Sequence, residues 1–359
     1  MKTKRILLLT GWMLLLLLHP GITARAQTTT DYLKETPEAF RARMKWFNDA
    51  RFGMFIHFGL YSQLGGIYNG QEVGGYAEWI QSSADIAADE YARLINTWKP
   101  TKFNARKIVK LAKKAGMKYL VITTKHHEGF CLWDSDYTDF DIAASPMKGR
   151  DFIAELSEAC KKEDIVFGTY YSIIDWHHPS QMRNAAGKNG WDKWAQLTMK
   201  PGRKSEYIAY MKHQIKELIE RYDTDILWFD GDWVNWWTME DGKDLYQYIR
   251  SLKPSIIINN RVAKRAQFQK DFGTPEQEHP ANALDYFWEA CYTLNESWGF
   301  KASDHQWKSA DNVVKKLEDI NGKGGNLLLN IGPDGNGRVP EESIKILKEV
   351  GKILKAKNR

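Results

Sequence analysis

Asp230 sits in the stretch Leu227-Trp228-Phe229-Asp230-Gly231, where a β-type run gives way to a glycine. In an extended segment successive side chains alternate, so Ile226, Trp228 and Asp230 share one face and Leu227 and Phe229 the other. A carboxylate beside an indole at a strand end can attack an electron-poor carbon. By itself it reads equally well as a turn or cap aspartate before Gly231, and Asp232 competes from just beyond the strand end. If the carbon belongs to a glycosidic acetal, a second carboxyl about 5–5.5 Å away must protonate the leaving oxygen. That group needs an apolar setting to stay protonated near neutral pH. Glu289 has such neighbours in Phe287, Trp288, Cys291 and Trp298, which favours it. Glu276 and Glu278, in the polar, proline-containing stretch GTPEQEHP, are its rivals, as is Glu128.

Histidines are the next group able to do chemistry. His57, His126, His127, His177 and His178 all fall at or just after strand-like runs. Adjacent His126 and His127 would point to opposite sides of a regular strand, and no HExxH or CxxC spacing accompanies them, so a metal site is disfavoured. Neutral imidazoles hydrogen-bonded to sugar hydroxyls suit the pattern better. No GxSxG elbow supports a serine nucleophile. The stretch GPDGNGR lacks the rest of a calcium loop and reads as a tight turn.

The elements that must position these groups alternate. Strand-like runs cover residues 51–58, 118–124, 165–172, 224–230, 255–261, 285–291 and 326–331. Helical patterns lie among them. In residues 104–116, Asn104 is a fitting N-cap, Ile108, Leu111, Ala112 and Ala115 share a face, and Gly116 fits the position past the C-terminus. Residues 204–222 and 341–355 carry similar apolar stripes. Such alternation predicts a parallel α/β sheet, and no GxGxxG follows any strand to suggest a dinucleotide fold. Polar groups at successive strand ends are what a (β/α)8 TIM barrel presents at its catalytic face. Seven strands are counted instead of eight, which leaves room for an irregular or incomplete barrel. Residues 173–203 show no clear pattern and read as a long active-site loop.

Before the barrel, Lys2, Lys4 and Arg5 precede an apolar run over residues 6–18, and Ala24-Arg25-Ala26 follows. That order predicts a secretory signal peptide over residues 1–26, cleaved near Ala26-Gln27, and a catalytic domain over 27–359 that is secreted or periplasmic. The apolar run is short for a membrane span of roughly 20 residues. The leader holds four basic residues and no acidic ones, so without it the net charge falls from +6 to +2. A nucleic-acid partner is therefore not expected. Cys131, Cys160 and Cys291 are too few for a disulfide framework and are expected as free thiols, buried at 160 and 291.

Taken together, WFNDARFGMFIHFGLYS, KYLVITTKHHEGFCLWDSDYTDFDI, FGTYYSIIDWHHP, DILWFDGDW and GNLLLNIGPDGNG resemble the family 29 glycoside hydrolases, the α-L-fucosidases, from about Trp46 to Lys355. The resemblance implies a retaining hydrolase acting on fucosylated oligosaccharides or glycoconjugates without metal or organic cofactor. It puts Asp230 on the nucleophile position and Trp228 in the pocket wall. His57, Glu78, Trp79, His126, His127 and Tyr171 fall on fucose-binding positions, with Arg261 as a further contact. Glu289 matches one subgroup's acid/base, with Glu276 and Glu278 in reserve. Members commonly carry a C-terminal β-sandwich, and Arg359 comes just after the last helical pattern, so a barrel without it is expected. The alternative within this fold is a catalytically silent fucose-binding barrel.

Overall fold

The computed structural model describes residues 30–357. Residues Tyr32–Arg359 form one compact unit, and a second unit, Met1–Asp31, is described only at its last two residues. The expected leader over residues 1–26 lies outside the described residues. No helix among the described residues is long and apolar enough to cross a membrane.

Seven strands form one parallel sheet: β1 (Phe52–Ile56), β2 (Tyr119–Lys125), β3 (Val166–Ser172), β4 (Ile226–Asp230), β5 (Ile257–Ile258), β6 (Glu289–Thr293) and β7 (Asn326–Ile331). Their spatial order is β6-β7-β1-β2-β3-β4-β5. The long helices are α1 (Pro37–Ala50), α2 (Ala105–Ala115), α3 (Phe152–Glu163), α4 (Lys204–Tyr222), α5 (Met239–Leu252), α6 (Ala310–Gly322) and α7 (Glu341–Lys357). The signals at α2 act as expected: the Asn104 side chain accepts from the Lys107 N–H, and Gly116 takes φ +94° in the left-handed region.

The two edge strands of the sheet, β5 and β6, are joined by residues 271–277. Single parallel bridges link Asn259 to Phe272, Gly273 to Trp288 and Glu276 to Cys291. The backbone bonds are Asn260 N to Phe272 O, Glu289 N to Gly273 O and Cys291 N to Pro275 O, among others. This irregular stave takes the place of an eighth strand and closes the barrel. Edges left open in a sheet are templates for mispairing, and closure removes them.

Side-chain parity divides the core in two. Met54, Ile56, Leu120, Ile122, Leu327 and Leu329 point outward and pack with the helices. Phe55, Tyr119, Val121, Tyr170, Ile226, Trp228, Cys291 and Leu328 point inward and fill the barrel. Met44 and Phe47 of α1 join this inner set and plug the N-terminal end, with the Phe47 ring 4.6 Å from Phe272. At Gly53 a Cβ would come within 2.4 Å of the Tyr119 ring, so only glycine lets that tyrosine cross the interior.

Three expectations shift. The sixth strand begins at Glu289 and does not end near it. The fifth is shortened to two residues, because the Asn259 side chain replaces the backbone ladder, accepting from Phe229 N at 2.8 Å and donating to Phe229 O at 2.9 Å. Residues 173–203 are not a bare loop: they hold a two-stranded hairpin (Gln181–Met182 with Thr198–Met199) and a short helix (Gly190–Ala195). All three cysteines are free and buried.

Candidate active site

Asp230 ends β4 at the C-terminal mouth of the barrel, with 14% of its side chain exposed. Its Oδ1 accepts from Arg261 at 2.8 Å and from Arg265 at 2.9 Å. Its Oδ2 faces the Tyr170 hydroxyl at 3.5 Å and His127 Nε2 at 3.7 Å. Burial alone would raise this carboxyl, but the charges of Arg261 and Arg265 outweigh it and hold Asp230 well below the usual range. The group is therefore ionised at any working pH, as a nucleophile must be.

Around it lies a small cavity of about 30 Å³. Phe55, Trp228 and Trp298 form apolar walls, and His57, Glu78, Trp79, His126, Tyr170, Arg261, Glu276 and Cys291 complete the lining. Trp228 lies almost parallel to Tyr170, at 5.6 Å and 18°, and Tyr170 to His126, at 5.5 Å and 15°. A larger groove on the helical flank, lined by Lys107, Leu111 and Ile344 among others, contains none of these groups.

The polar rim is set by second contacts. Asn330 Nδ2 donates to Trp298 O at 2.7 Å, which leaves Asn330 Oδ1 to accept from His57 Nδ1 at 2.7 Å. His57 Nε2 is thereby a free acceptor. The Ser172 hydroxyl donates to Ile174 O and so accepts from His127 Nδ1 at 2.6 Å. Burial is the main reason that His57 falls to about 3 and His127 to about 4, and burial also takes His126 well below its usual value. All three rings are neutral near pH 7. Glu78 is held by Gly299 N at 2.8 Å through Oε2, and burial pushes it up to about 7. Glu78 Oε1, His126 Nδ1 and His127 Nε2 are buried with no protein partner. Buried polar atoms are seldom left unpaired, so two in the cavity wall and a third facing Asp230 suit a ligand rich in hydroxyls.

The two candidate acids separate clearly. Glu276 stands at the end of the closing stave, with 38% of its side chain exposed, and its Oε2 accepts from Arg261 Nη2 at 2.8 Å. One guanidinium thus bridges Asp230 and Glu276, which brings their carboxyls within about 8 Å of each other. Glu289 opens β6 at the opposite end of that strand and does not line the cavity. It is 1% exposed and accepts from the Tyr119 hydroxyl and, at 3.0 Å, from Trp228 Nε1. Trp228 stands between it and the cavity. Glu278 is exposed and also outside the lining. Glu128 is sealed beneath the first β-loop, on Leu60 N and the Tyr91 hydroxyl.

Of the other sequence candidates, His57, Glu78, Trp79, His126, Trp228 and Arg261 are brought together at the cavity. His127 faces Asp230. Tyr171 is not: it points outward and donates to Gln214 Oε1 at 2.7 Å, while its neighbour Tyr170 takes the inward position. The β3–β4 register pairs Tyr170 with Trp228, which is why their rings share a face. Arg265 and Asn330 escaped the sequence reading, since neither stands in a chemical motif by itself.

Comparison with known proteins agrees with this geometry. The family model described as alpha-L-fucosidase matches residues 21–359. The chain belongs to the α-L-fucosidase family. Among curated relatives, the alpha-L-fucosidase of Dictyostelium discoideum is 28% identical over 86% of this chain and 69% of its own length. Among solved structures, alpha-L-fucosidase isoenzyme 1 from Paenibacillus thiaminolyticus is 36% identical, with TM-score 0.79 over 88% of this chain and 76% of that one. A trapped covalent intermediate of a Bacteroides thetaiotaomicron family 29 alpha-L-fucosidase with 2-fluoro-fucosyl fluoride is 33% identical, with TM-score 0.77 over 88% and 74% of the two chains.

Proposed function

We propose that this chain is a retaining α-L-fucosidase that releases terminal fucose from fucosylated glycans, with Asp230 as nucleophile and Glu276 as acid/base. Family membership supports the reaction, and one observation carries the residue assignment: Asp230 and Glu276 are the two carboxyls of the cavity joined by Arg261. Asp230 attacks C1 of the fucosyl ring while Glu276 gives its proton to the departing oxygen. Water then attacks C1 of the glycosyl-enzyme as Glu276 takes back a proton, which returns Asp230 as carboxylate. His57, His126, His127 and Glu78 take the sugar hydroxyls, and Trp228 packs against the ring. Arg261 and Arg265 keep Asp230 ionised between turnovers.

The Glu289 carboxyl is pushed by burial to about 7, and on acidity alone would suit the acid role. Geometry ranks first for a proton donor. A carboxyl behind Trp228 cannot reach a leaving oxygen, so Glu289 is assigned to holding the Trp228 indole in place. The proposal includes export, with the leader removed near Ala26-Gln27. The test is an azide experiment on an aryl α-L-fucoside. Asp230→Gly with azide should yield the β-fucosyl azide, and Glu276→Ala with azide the α-fucosyl azide. If Glu289→Ala gives the α-azide and Glu276→Ala does not, the acid assignment is wrong.

A further inference from the structure

Trp191 is the most exposed large apolar residue described, at 53%. Exposed single apolar residues need no explanation in general, but this one is built in and touches the site. Its ring lies 4.3 Å from that of Trp79, tilted by 30°, and Trp79 lines the cavity around Asp230. The aromatic surface therefore runs without a break from the cavity wall to the outside.

The short helix that carries Trp191 is fastened from several sides. At Gly190 a Cβ would stand 1.9 Å from Ser82 O, so the backbone just before Trp191 is pressed against the segment that follows Trp79. The Asn189 side chain caps the helix by accepting from Asp192 N at 2.8 Å. Asp85 accepts from Lys193 Nζ at 2.6 Å and from Trp194 Nε1 at 3.1 Å. Trp233, three residues after the nucleophile, donates its indole N–H to Ala195 O at 2.8 Å. A ring held this firmly loses little freedom when something settles on it, which is the condition for a useful binding platform.

We propose that the outer face of Trp191 is the platform for the leaving-group sugar, the ring to which fucose is attached in the substrate. This rests on the fucosidase reading above. On that reading the groups around Asp230 receive the fucosyl ring, and the sugar joined to it lies outside them, where Trp191 continues the wall that Trp79 begins. It leaves on the side of Glu276, the more exposed of the two carboxyls. Pyranose rings present an apolar face of C–H groups, and an indole offers them a large, rigid, polarisable surface. The contact is sequence-blind to hydroxyl pattern, so it strengthens binding of a ring without choosing its linkage.

The test compares two substrates in Trp191→Ala and Trp191→Phe. One is α-L-fucosyl fluoride, whose leaving group has no ring. The other is whichever α1,2-, α1,3-, α1,4- or α1,6-linked fucosyl disaccharide the wild type cleaves fastest. Trp191→Ala should lower kcat/KM on the disaccharide by about 10-fold or more and leave the fluoride within about twofold. Trp191→Phe, which keeps a ring, should recover most of the disaccharide loss. Equal losses on both substrates would mean that Trp191 acts through Trp79 on fucose itself, and no loss on either would mean no contact; both overturn the platform. A wild type inert on every disaccharide overturns it too. A wild type that fails on the fluoride brings down the fucosidase reading first.

Discussion

The barrel interior holds one glutamate at each end, Glu276 at the open mouth and Glu289 deep on the far side of Trp228. The first is 38% exposed and ion-paired to an arginine that also holds Asp230. The second is sealed, hydrogen-bonded to a tyrosine and an indole, and raised by burial to about 7. A search for perturbed acidity would select the sealed one. Perturbed groups do cluster at functional sites, but structural burial perturbs them as well. The difference between the ends teaches that access to the cavity and raised acidity need not fall on the same carboxyl, and the proposed assignment gives access the first place.

Substituting the nucleophile gives the largest effect and tests the frame shared by both ends. Asp230→Asn keeps the shape but cannot form the glycosyl-enzyme, and kcat should fall by roughly four orders of magnitude. Near-wild-type turnover of an aryl fucoside by that variant would dismantle the site as described. Next comes Glu276→Ala, which should cost about 100- to 10,000-fold on a disaccharide, where the leaving oxygen needs a proton. It should cost far less on fucosyl fluoride, since fluoride leaves with little help. A loss that is the same for both leaving groups would remove Glu276 from the acid role and reverse the comparison.

Glu289→Gln sharpens the comparison from the other side. Glutamine can still accept from Trp228, so kcat/KM should stay within about tenfold of wild type, with no dependence on the leaving group. Its effect should appear in stability against pH. Folded Glu289 titrates near 7 against an ordinary 4.5, so the folded state binds the extra proton between those values. Its contribution is whole below about pH 4.5 and is lost as the pH rises through 7. The loss is at most about 3 kcal/mol, or roughly 4 °C in Tm for a chain of this size. Melting curves at pH 5 and pH 8 should show a smaller drop for Glu289→Gln than for wild type. An unchanged drop would mean that Glu289 is ionised in its sealed position.

How much of this could be seen beforehand depends on what each residue's placement requires. Asp230 and Trp228 were legible because a two-residue period within one strand fixes both. His57, His126 and His127 were legible because they trail long, strongly apolar strands. Choosing between Tyr170 and Tyr171 needed the pairing of β3 with β4, a relation between distant segments. Choosing between Glu276 and Glu289 needed strand ends accurate to a residue or two. Residues 285–291 looked like a strand ending near Glu289, and the observed β6 starts there, which reverses the end of the barrel that Glu289 occupies. The closing stave left no periodic trace, because its pairing consists of isolated bridges and its sequence, with a proline and a glycine, reads as a loop. Arg265 became visible only through its partners Asp230 and Asp232.

The irregular stave also changes how the two halves of the chemistry can vary. Asp230 is locked into a ladder, with β3 on one side and the Asn259 amide at the strand's other edge, so moving it by one residue would turn it out of the barrel. Glu276 rides on a stave held to β6 by single bridges and a few backbone bonds, not by a regular strand ladder. An insertion or deletion there would shift Glu276 along the rim at the cost of those few bonds, while the regular pairing of the seven strands keeps its register. On the proposed assignment the attacking group is the fixed point of this architecture. The proton donor can be relocated by loop remodelling, and new leaving groups can be accommodated without rebuilding the barrel.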